Sequence, residues 1–388
     1  KYGCNPQQKP ASIRGLLSPS GPQPLPFDVL SGVPGYINLL DALNAWQLVR
    51  ELDMATDLPA AASFKHVSPA GAAVYAPISD ELLSVYEATG KALSQVAIAY
   101  LRSRQADPLC SFGDFVAVSR VVDASTAALL KIEVSDGIIA PGFEPEALEV
   151  LRQKKGGKYI VLQADPSFEP PEDEQRTVYG TSFRQRRALE TVGESTLANV
   201  VTAKKDLSAD AKRDLLVAQI AIKYTQSNSV GYAKDGQMIG VGAGQQSRVD
   251  CVKLAGRKVD TWYLRQHPKV RALVFKQGVK RQERINARVR YIEGDMPPTE
   301  YTQWAQQFDE APEALTEAEK REFLASLTDV SLASDAFFPF RDSVDVASSR
   351  GVKFVVAAGG SVADEEVIAA ADEYEMTMAF SGLRLFHH

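Results

Sequence analysis

Histidine and cysteine are the scarcest chemistry-bearing residues in this chain, with four and three copies among 388. Cys4, Cys110 and Cys251 stand far apart, with no CxxC and no Cys/His cluster at ligand spacing. That excludes a zinc site of the usual spacing and a disulfide framework, and an unpaired odd count fits a reducing compartment. No apolar run approaches the roughly 18–20 residues of a membrane helix, and no signal-peptide pattern opens the chain. A basic excess is also missing: the formal net charge is −6, which argues against a nucleic-acid binder. No GxxxxGK[ST] occurs, so ATP use through a P-loop is unsupported. The expectation is a cytosolic globular protein without membrane or nucleic-acid partners. It begins at Lys1 rather than methionine, which leaves a stand-alone enzyme and a domain cut from a longer protein both open.

What is present is enough apolar residue, 45% of the chain, for one large domain or two mid-sized ones. Residues 138–163 read as an apolar run, a Pro-Gly turn, a helix opened by Glu144 and Pro145, and a second apolar run. Residues 355–380 repeat that grammar, with Ser361 as helix cap and Asp364, Glu365 and Glu366 in the first turn. Both read as strand–helix–strand units with buried parallel strands. SFGDFVAVSRVVDASTA from Ser111 and SDAFFPFRDSVDVASS from Ser334 form a second echo. Two copies of one α/β unit are therefore expected. The Pro-, Glu- and Arg-rich stretch 163–196 reads as a surface connector, and 208–223 as an amphipathic helix capped by Ser208. Asp235-Gly236 marks a hairpin turn. Residues 262–330 read as a helical insertion, in which Thr316 and Glu319 make a capping box.

Few stretches carry chemistry. His66 lies in SFKHVSPAGAA beside Lys65, among small residues that let a ligand approach the backbone. An ammonium next to an imidazole joins a cation to a group that titrates near neutrality. His267 precedes a proline and reads as a turn residue; His387 and His388, on spacing alone, read as a tail. IGVGAGQQSR, residues 239–248, lacks the third glycine of a dinucleotide fingerprint. Two readings of it stay open: close approach of a ligand to backbone, or a glycine strand packed under a neighbour. The arginines and lysines of 276–290 read as a solvated helix face, without the interleaved aromatics of a nucleic-acid surface. In SDAFFPFRD, three phenylalanines crowd beside Asp335, Arg341 and Asp342, which suits a pocket that stacks a flat heterocycle.

Taken together, KYGCNPQQKPA, GYINLLDALNAWQL, SFKHVSPAGAA, SFGDFVAVS, EVSDGIIAPG, KYTQSNSVGYA, IGVGAGQQSR, SDAFFPFRD and LRLFHH resemble one family. It is the transformylase domain of bifunctional AICAR transformylase/IMP cyclohydrolase, and the likeness runs from Lys1 to His388. The resemblance implies two cytidine-deaminase-like α/β subdomains at 1–165 and 197–388, joined by a connector at 166–196. It also implies formyl transfer from 10-formyltetrahydrofolate to AICAR, in a homodimer with shared sites and without zinc. Lys65 and His66 are implied as catalytic, together with Asn228. The nucleotide is implied to meet Lys1, Tyr2, Asn38, Gly113, Asp136, Asn228 and Arg384. For folate the implied contacts are Arg248, Val249, Phe337, Asp342, Ser361 and Val362, with His388 near the site. A potassium ion, known in some members, is implied near Thr225, Ser227 and His388. The sequence departs from the family in Lys1 for arginine, Gln7 for a frequent histidine and Val249 for isoleucine. The cyclohydrolase portion is not in the sequence, so ring closure is not expected of it. Competing readings are a non-catalytic nucleotide- or folate-binding module, an ATP- and formate-dependent ligase making the same product and, on fold analogy alone, a hydrolytic deaminase, which the missing metal ligands disfavour.

Overall fold

The computed structural model describes residues 2–18 and 21–388, so Lys1 lies outside the described residues. A short ribbon of β1 (Leu17–Ser18) and β2 (Gly21–Pro22) precedes the body. The first half then runs β3 (Phe27–Ser31), α1 (Tyr36–Thr56), the hairpin β4 (Ala60–Lys65) and β5 (Ser68–Val74), α2 (Asp80–Val85) and α3 (Gln95–Gln105). It continues through β6 (Asp114–Val118), α4 (Ala124–Ile132), β7 (Ser135–Ala140), α5 (Pro145–Gln153) and β8 (Ile160–Ala164). Within the connector, β9 (Asp173–Val178) and β10 (Thr181–Arg186) form an exposed antiparallel ribbon.

The second half repeats the order: α6 (Ala209–Lys223), the hairpin β11 (Val230–Lys234) and β12 (Gln237–Gly242), then α7 (Arg248–Leu264). Here α8 (Pro268–Arg271), α9 (Arg281–Glu293), α10 (Pro298–Ala305) and α11 (Glu317–Leu324) intervene as the expected helical insertion. They bury their own small core around Val270, Tyr291, Trp304 and Phe308. β13 (Val330–Ser334), α12 (Asp342–Ser348), β14 (Val352–Ala357), α13 (Asp364–Glu373) and β15 (Thr377–Phe380) complete the chain.

Eleven strands make one sheet in the order β15-β14-β13-β11-β12-β5-β4-β6-β7-β8-β3. The halves meet where β12 pairs antiparallel with β5, Gln237 opposite Ala73. Outward from that seam each half shows the same senses: an antiparallel hairpin, one antiparallel neighbour, then two parallel strands. Helices α1 and α6 cover one face, with Trp46, Leu52, Leu215 and Ile220 buried on it. The other face packs α3, α4, α5, α7, α12 and α13 around Tyr100, Leu130, Val259 and Val367. A fully buried leucine or isoleucine contributes about 1.5–3 kcal/mol, so α6, buried on most sides rather than amphipathic, is held by packing.

Both strand–helix–strand units, the Ser208 cap, the Asp235-Gly236 turn and the Thr316/Glu319 box match the expectation. Three further readings are corrected. The counterpart of DFVAV is VSLAS in β13, and SDAFFPF forms the turn after that strand. The helix after Ser361 takes Ala363 as its N-cap, while Ser361 Oγ accepts from Ala363 N at 3.1 Å. The arginines of 276–290 are not a solvated face: Arg281, Arg284 and Arg288 all bind Glu87. Of the two readings of 239–248, packing holds at the strand. A Cβ on Gly240 would lie 2.4 Å from the carbonyl oxygen of Ala255, and one on Gly242 2.5 Å from that of Cys251.

Candidate active site

Strand register brings the candidate residues to one end of the sheet. β4 ends at Lys65, beside the start of β6, and β7 starts opposite Asp114. Across the seam, Gly242 ends β12 opposite Val230, and Val230 also faces Ser334 at the end of β13. β14 and β15 finish alongside in parallel. Lys65, His66, Gly113, Asp136, Asn228, Arg248, Phe337, Ser361 and Arg384 therefore all sit in or next to the segments emerging at this end.

The turn between β4 and β5 is built from unusual backbone. His66 and Val67 have φ of 52° and 59°, a left-handed conformation that costs a β-branched residue about 1–3 kcal/mol. Asp41 of α1 holds it, its Oδ1 accepting from Val67 N at 2.6 Å. Burial raises the Asp41 carboxyl above its ordinary value, opposed by that N–H and by the charges of His66 and Lys65. Nearby Asp136 pushes it further up. Lys65 Nζ donates to the carbonyl oxygen of Gly113 at 3.0 Å, and Gly113 has φ of 72°, which suits glycine. His66 itself is exposed, Asp136 pairs with Lys155 at 2.8 Å, and Asn38 Oδ1 accepts from Gly35 N in the first turn of α1.

The second half contributes a locked loop. Asn228 Nδ2 donates to the carbonyl oxygens of Gln245 and Gln246 at 2.9 and 3.2 Å. Its Oδ1 accepts from Arg248 Nη2 at 2.8 Å. Arg248 Nη1 pairs with fully buried Asp335, whose other oxygen accepts from Ser227 Oγ at 2.6 Å and Ser229 N at 3.0 Å. Gln226 N donates to Ser68 Oγ at 3.3 Å, tying this loop to the strand that leaves the His66 turn.

The C-terminal segment is no loose tail, contrary to the reading from spacing alone. Ser227 N donates to the carbonyl oxygen of His387 at 3.0 Å, and His387 N returns a bond to Ser227 Oγ. Burial lowers the His387 imidazole below its ordinary value. Arg384 lies over the Phe386 ring at 4.9 Å, and Phe386 meets His388 edge-on. Arg384 and His388 line a cavity of about 840 Å³ shared with Lys223, Tyr224, Asn44 and Glu174. That is within the size range of small-molecule sites, roughly 300–1,000 Å³. Tyr2 is exposed.

The remaining residues are looser. Phe337 is 41% exposed, Val362 fully exposed, and Asp342 opens α12 next to Ser343. Val249 follows Arg248 in the first turn of α7. Among the described residues, no hydrogen bond or ion pair joins Asp342 or Ser361 to Lys65 or His66. Nor does any group of three or more His, Cys, Asp or Glu side chains there sit as a metal cluster. Sequence reasoning missed Asp41, although an aspartate amid the apolar LLDALNAW was a signal. It also missed how Asp335 anchors Asn228, since the partners lie about a hundred residues apart.

The AICARFT/IMPCHase bienzyme family matches residues 1–258. A bifunctional purine biosynthesis protein PurH of Xylella fastidiosa is 31% identical over 393 residues, covering all of this chain. Those of Magnetococcus marinus and Elusimicrobium minutum are 32% and 30% identical, again over the whole chain. The chain spans 57–59% of the length of these relatives.

Proposed function

The chain belongs to the AICARFT/IMPCHase bienzyme family, and on that premise we propose that it transfers a formyl group from 10-formyltetrahydrofolate to AICAR in purine biosynthesis. The observation that carries this reading is the pairing of the Lys65-His66 turn with Asn228 at one end of the sheet. The turn is held in strained backbone by Asp41, and Asn228 is clamped by Arg248.

The exocyclic amine of AICAR is conjugated with its carboxamide and is a poor nucleophile, so it needs a base and firm positioning. His66, exposed at the turn, is the base in this reading. Attack on the formyl carbon builds an oxyanion, and Lys65 supplies the cation for it. Among the described residues, one of the three ammonium donors is accounted for, by the carbonyl of Gly113. Both Nδ2 hydrogens of Asn228 are spent on Gln245 and Gln246, but Oδ1 keeps one lone pair to accept an N–H of AICAR. The amide therefore orients the nucleophile rather than donating to the formyl oxygen.

Tyr2, Asn38, Gly113, Asp136 and Arg384 hold the nucleotide in this proposal, with Arg384 meeting the phosphate from the edge of the large cavity. Lys1 joins them but lies outside the described residues. Phe337, Val249, Asp342, Ser361 and Val362 take folate, Phe337 offering its exposed ring to the pterin. Arg248 takes folate in this proposal too, and it has a second task. Three of its five donors go to Asp335, Ser229 and Asn228, so it also positions Asn228. A potassium ion near Thr225, Ser227 and His388 suits the oxygen-rich chemistry of that loop. Thr225 and Ser227 donate their hydroxyl protons to Ala221 and Asp335, which leaves oxygen lone pairs on both, beside the carbonyls of the loop, to face the ion.

Two cytidine-deaminase-like subdomains, 1–165 and 197–388 about the connector 166–196, fit the repeated strand order and senses. A homodimer in the cytosol with sites shared across the interface completes the proposal; exposed Tyr179 and Phe183 on the connector ribbon offer apolar surface for it. No helix among the described residues is long and apolar enough to cross a membrane. Supplying AICAR with either 10-formyltetrahydrofolate or ATP and formate tests the reading. Product only with the folate supports it; product only with ATP and formate makes the chain a ligase. Binding of AICAR with no product from either makes it a binding module.

A further inference from the structure

Three arginines of the helical insertion converge on one carboxylate of the first half. Glu87 accepts from Arg281 at 2.5 Å, Arg284 at 2.8 Å and Arg288 at 2.7 Å. Glu133 is shared between Arg281 at 2.9 Å and Arg104 at 3.1 Å, and Arg104 also meets Asp114 at 2.8 Å. Arg271 pairs with Glu81 at 2.5 Å. Arg265 is different: it is only 6% exposed, and both of its bonds go to Gln105, through the carbonyl and the side-chain oxygen. The nearest further acid, Asp107, is already paired with Lys258. Among the described residues the cluster thus sets six guanidinium groups against Glu81, Glu87, Asp114 and Glu133, an excess of two positive charges.

A buried charge without a counter-charge is costly, and such groups are normally paired. The burial shows in Arg265, whose basicity is pushed down to about 10 by desolvation, with Arg288 and Arg281 adding to the effect. Beside it lies a cavity of about 40 Å³, lined by Arg265, Arg271, Arg281, Arg288, Ser84 and Glu87. About 10–15 Å³ holds one water, so there is room for several oxygen centres but not for a nucleoside.

We propose that this cavity binds a small tetrahedral oxyanion, inorganic phosphate, clamped between the helical insertion and the first half of the chain. The guanidinium forks of Arg265, Arg281 and Arg288 suit its oxygens, with Ser84 at the wall. The anion supplies the counter-charge that Arg265 lacks and lowers the repulsion among the arginines that crowd Glu87. It ties the insertion to α2 and to Gln105 at the end of α3.

The test is thermal unfolding of the whole chain in phosphate against chloride at matched ionic strength, with Arg265→Met, Arg271→Gln and Arg384→Ala variants. The expected result is a saturable rise in Tm with phosphate for the native chain, since a ligand that binds only the folded state stabilises it. Arg265→Met abolishes the rise, and Arg271→Gln, at the cavity rim, weakens the apparent phosphate affinity about tenfold. Arg384→Ala, at the separate large cavity, keeps the rise. Equal melting of the native chain in both salts overturns the proposal. So does an undiminished rise in Arg265→Met, or in Arg271→Gln should Arg265→Met fail to fold, and so does loss of the rise in Arg384→Ala.

Discussion

Arg248 and Asp335 form a buried ion pair whose other bonds fix the position of Asn228. Breaking such a pair by removing one partner costs about 3–5 kcal/mol, because the survivor is left buried and uncompensated. Asp335→Ala is therefore expected to lose several kcal/mol in urea unfolding. The Arg248→Met/Asp335→Leu double variant should recover part of that stability but none of the formyl transfer. A double variant no more stable than Asp335→Ala would refute the pairing argument.

Asp41 supports the His66 turn through one bond to Val67 N. Asp41→Asn keeps an acceptor there and is expected to retain near-native turnover. Asp41→Ala leaves the N–H unpaired, a loss of about 1–3 kcal/mol, and should lower kcat roughly tenfold with KM little changed. Steady-state kinetics on the two variants separate the cases; equal kcat in both would remove Asp41 from the mechanism.

Glu87 carries a pH signature. Burial pushes its carboxyl up, but hydrogen bonds from Arg284 and Arg288 outweigh that and hold it at about 2, against an ordinary 4.5. A depressed folded-state pKa means stabilisation that is complete above about 4.5 and lost as pH falls toward about 2. Urea unfolding across that window should show a decline that Glu87→Gln flattens. An identical decline in the variant would assign the acid sensitivity elsewhere.

Gly240 sits beneath α7, where a Cβ would meet the carbonyl oxygen of Ala255 at 2.4 Å and Val259 at 2.9 Å. Gly240→Ala is expected to destabilise the fold by about 1–3 kcal/mol through overpacking. Native stability in this variant would reopen the ligand-approach reading of the glycine run.

Local pattern carried much of this architecture. The two strand–helix–strand units and the hairpin turn were legible because their apolar runs, caps and Asp-Gly signal act over a few residues. The second echo aligns a few residues late, because the strand that matches DFVAV is the plainer VSLAS just before the aromatic turn. The arginine cluster misled for another reason: Glu87 lies about two hundred residues from Arg288, and only the fold joins them. At the candidate site, Lys65 and His66 stood out as residue types, while Asn228 came only from the family resemblance. Their restraints, Asp41 and Asp335, came into view only with the tertiary contacts.

The most direct measurement is formyl transfer itself, with purified chain, AICAR and 10-formyltetrahydrofolate, comparing native protein with His66→Ala. Loss of a general base costs ~10²–10⁴-fold in rate, so the variant should fall by that factor while still binding AICAR. Turnover in His66→Ala close to native would contradict the assignment of His66 as the base.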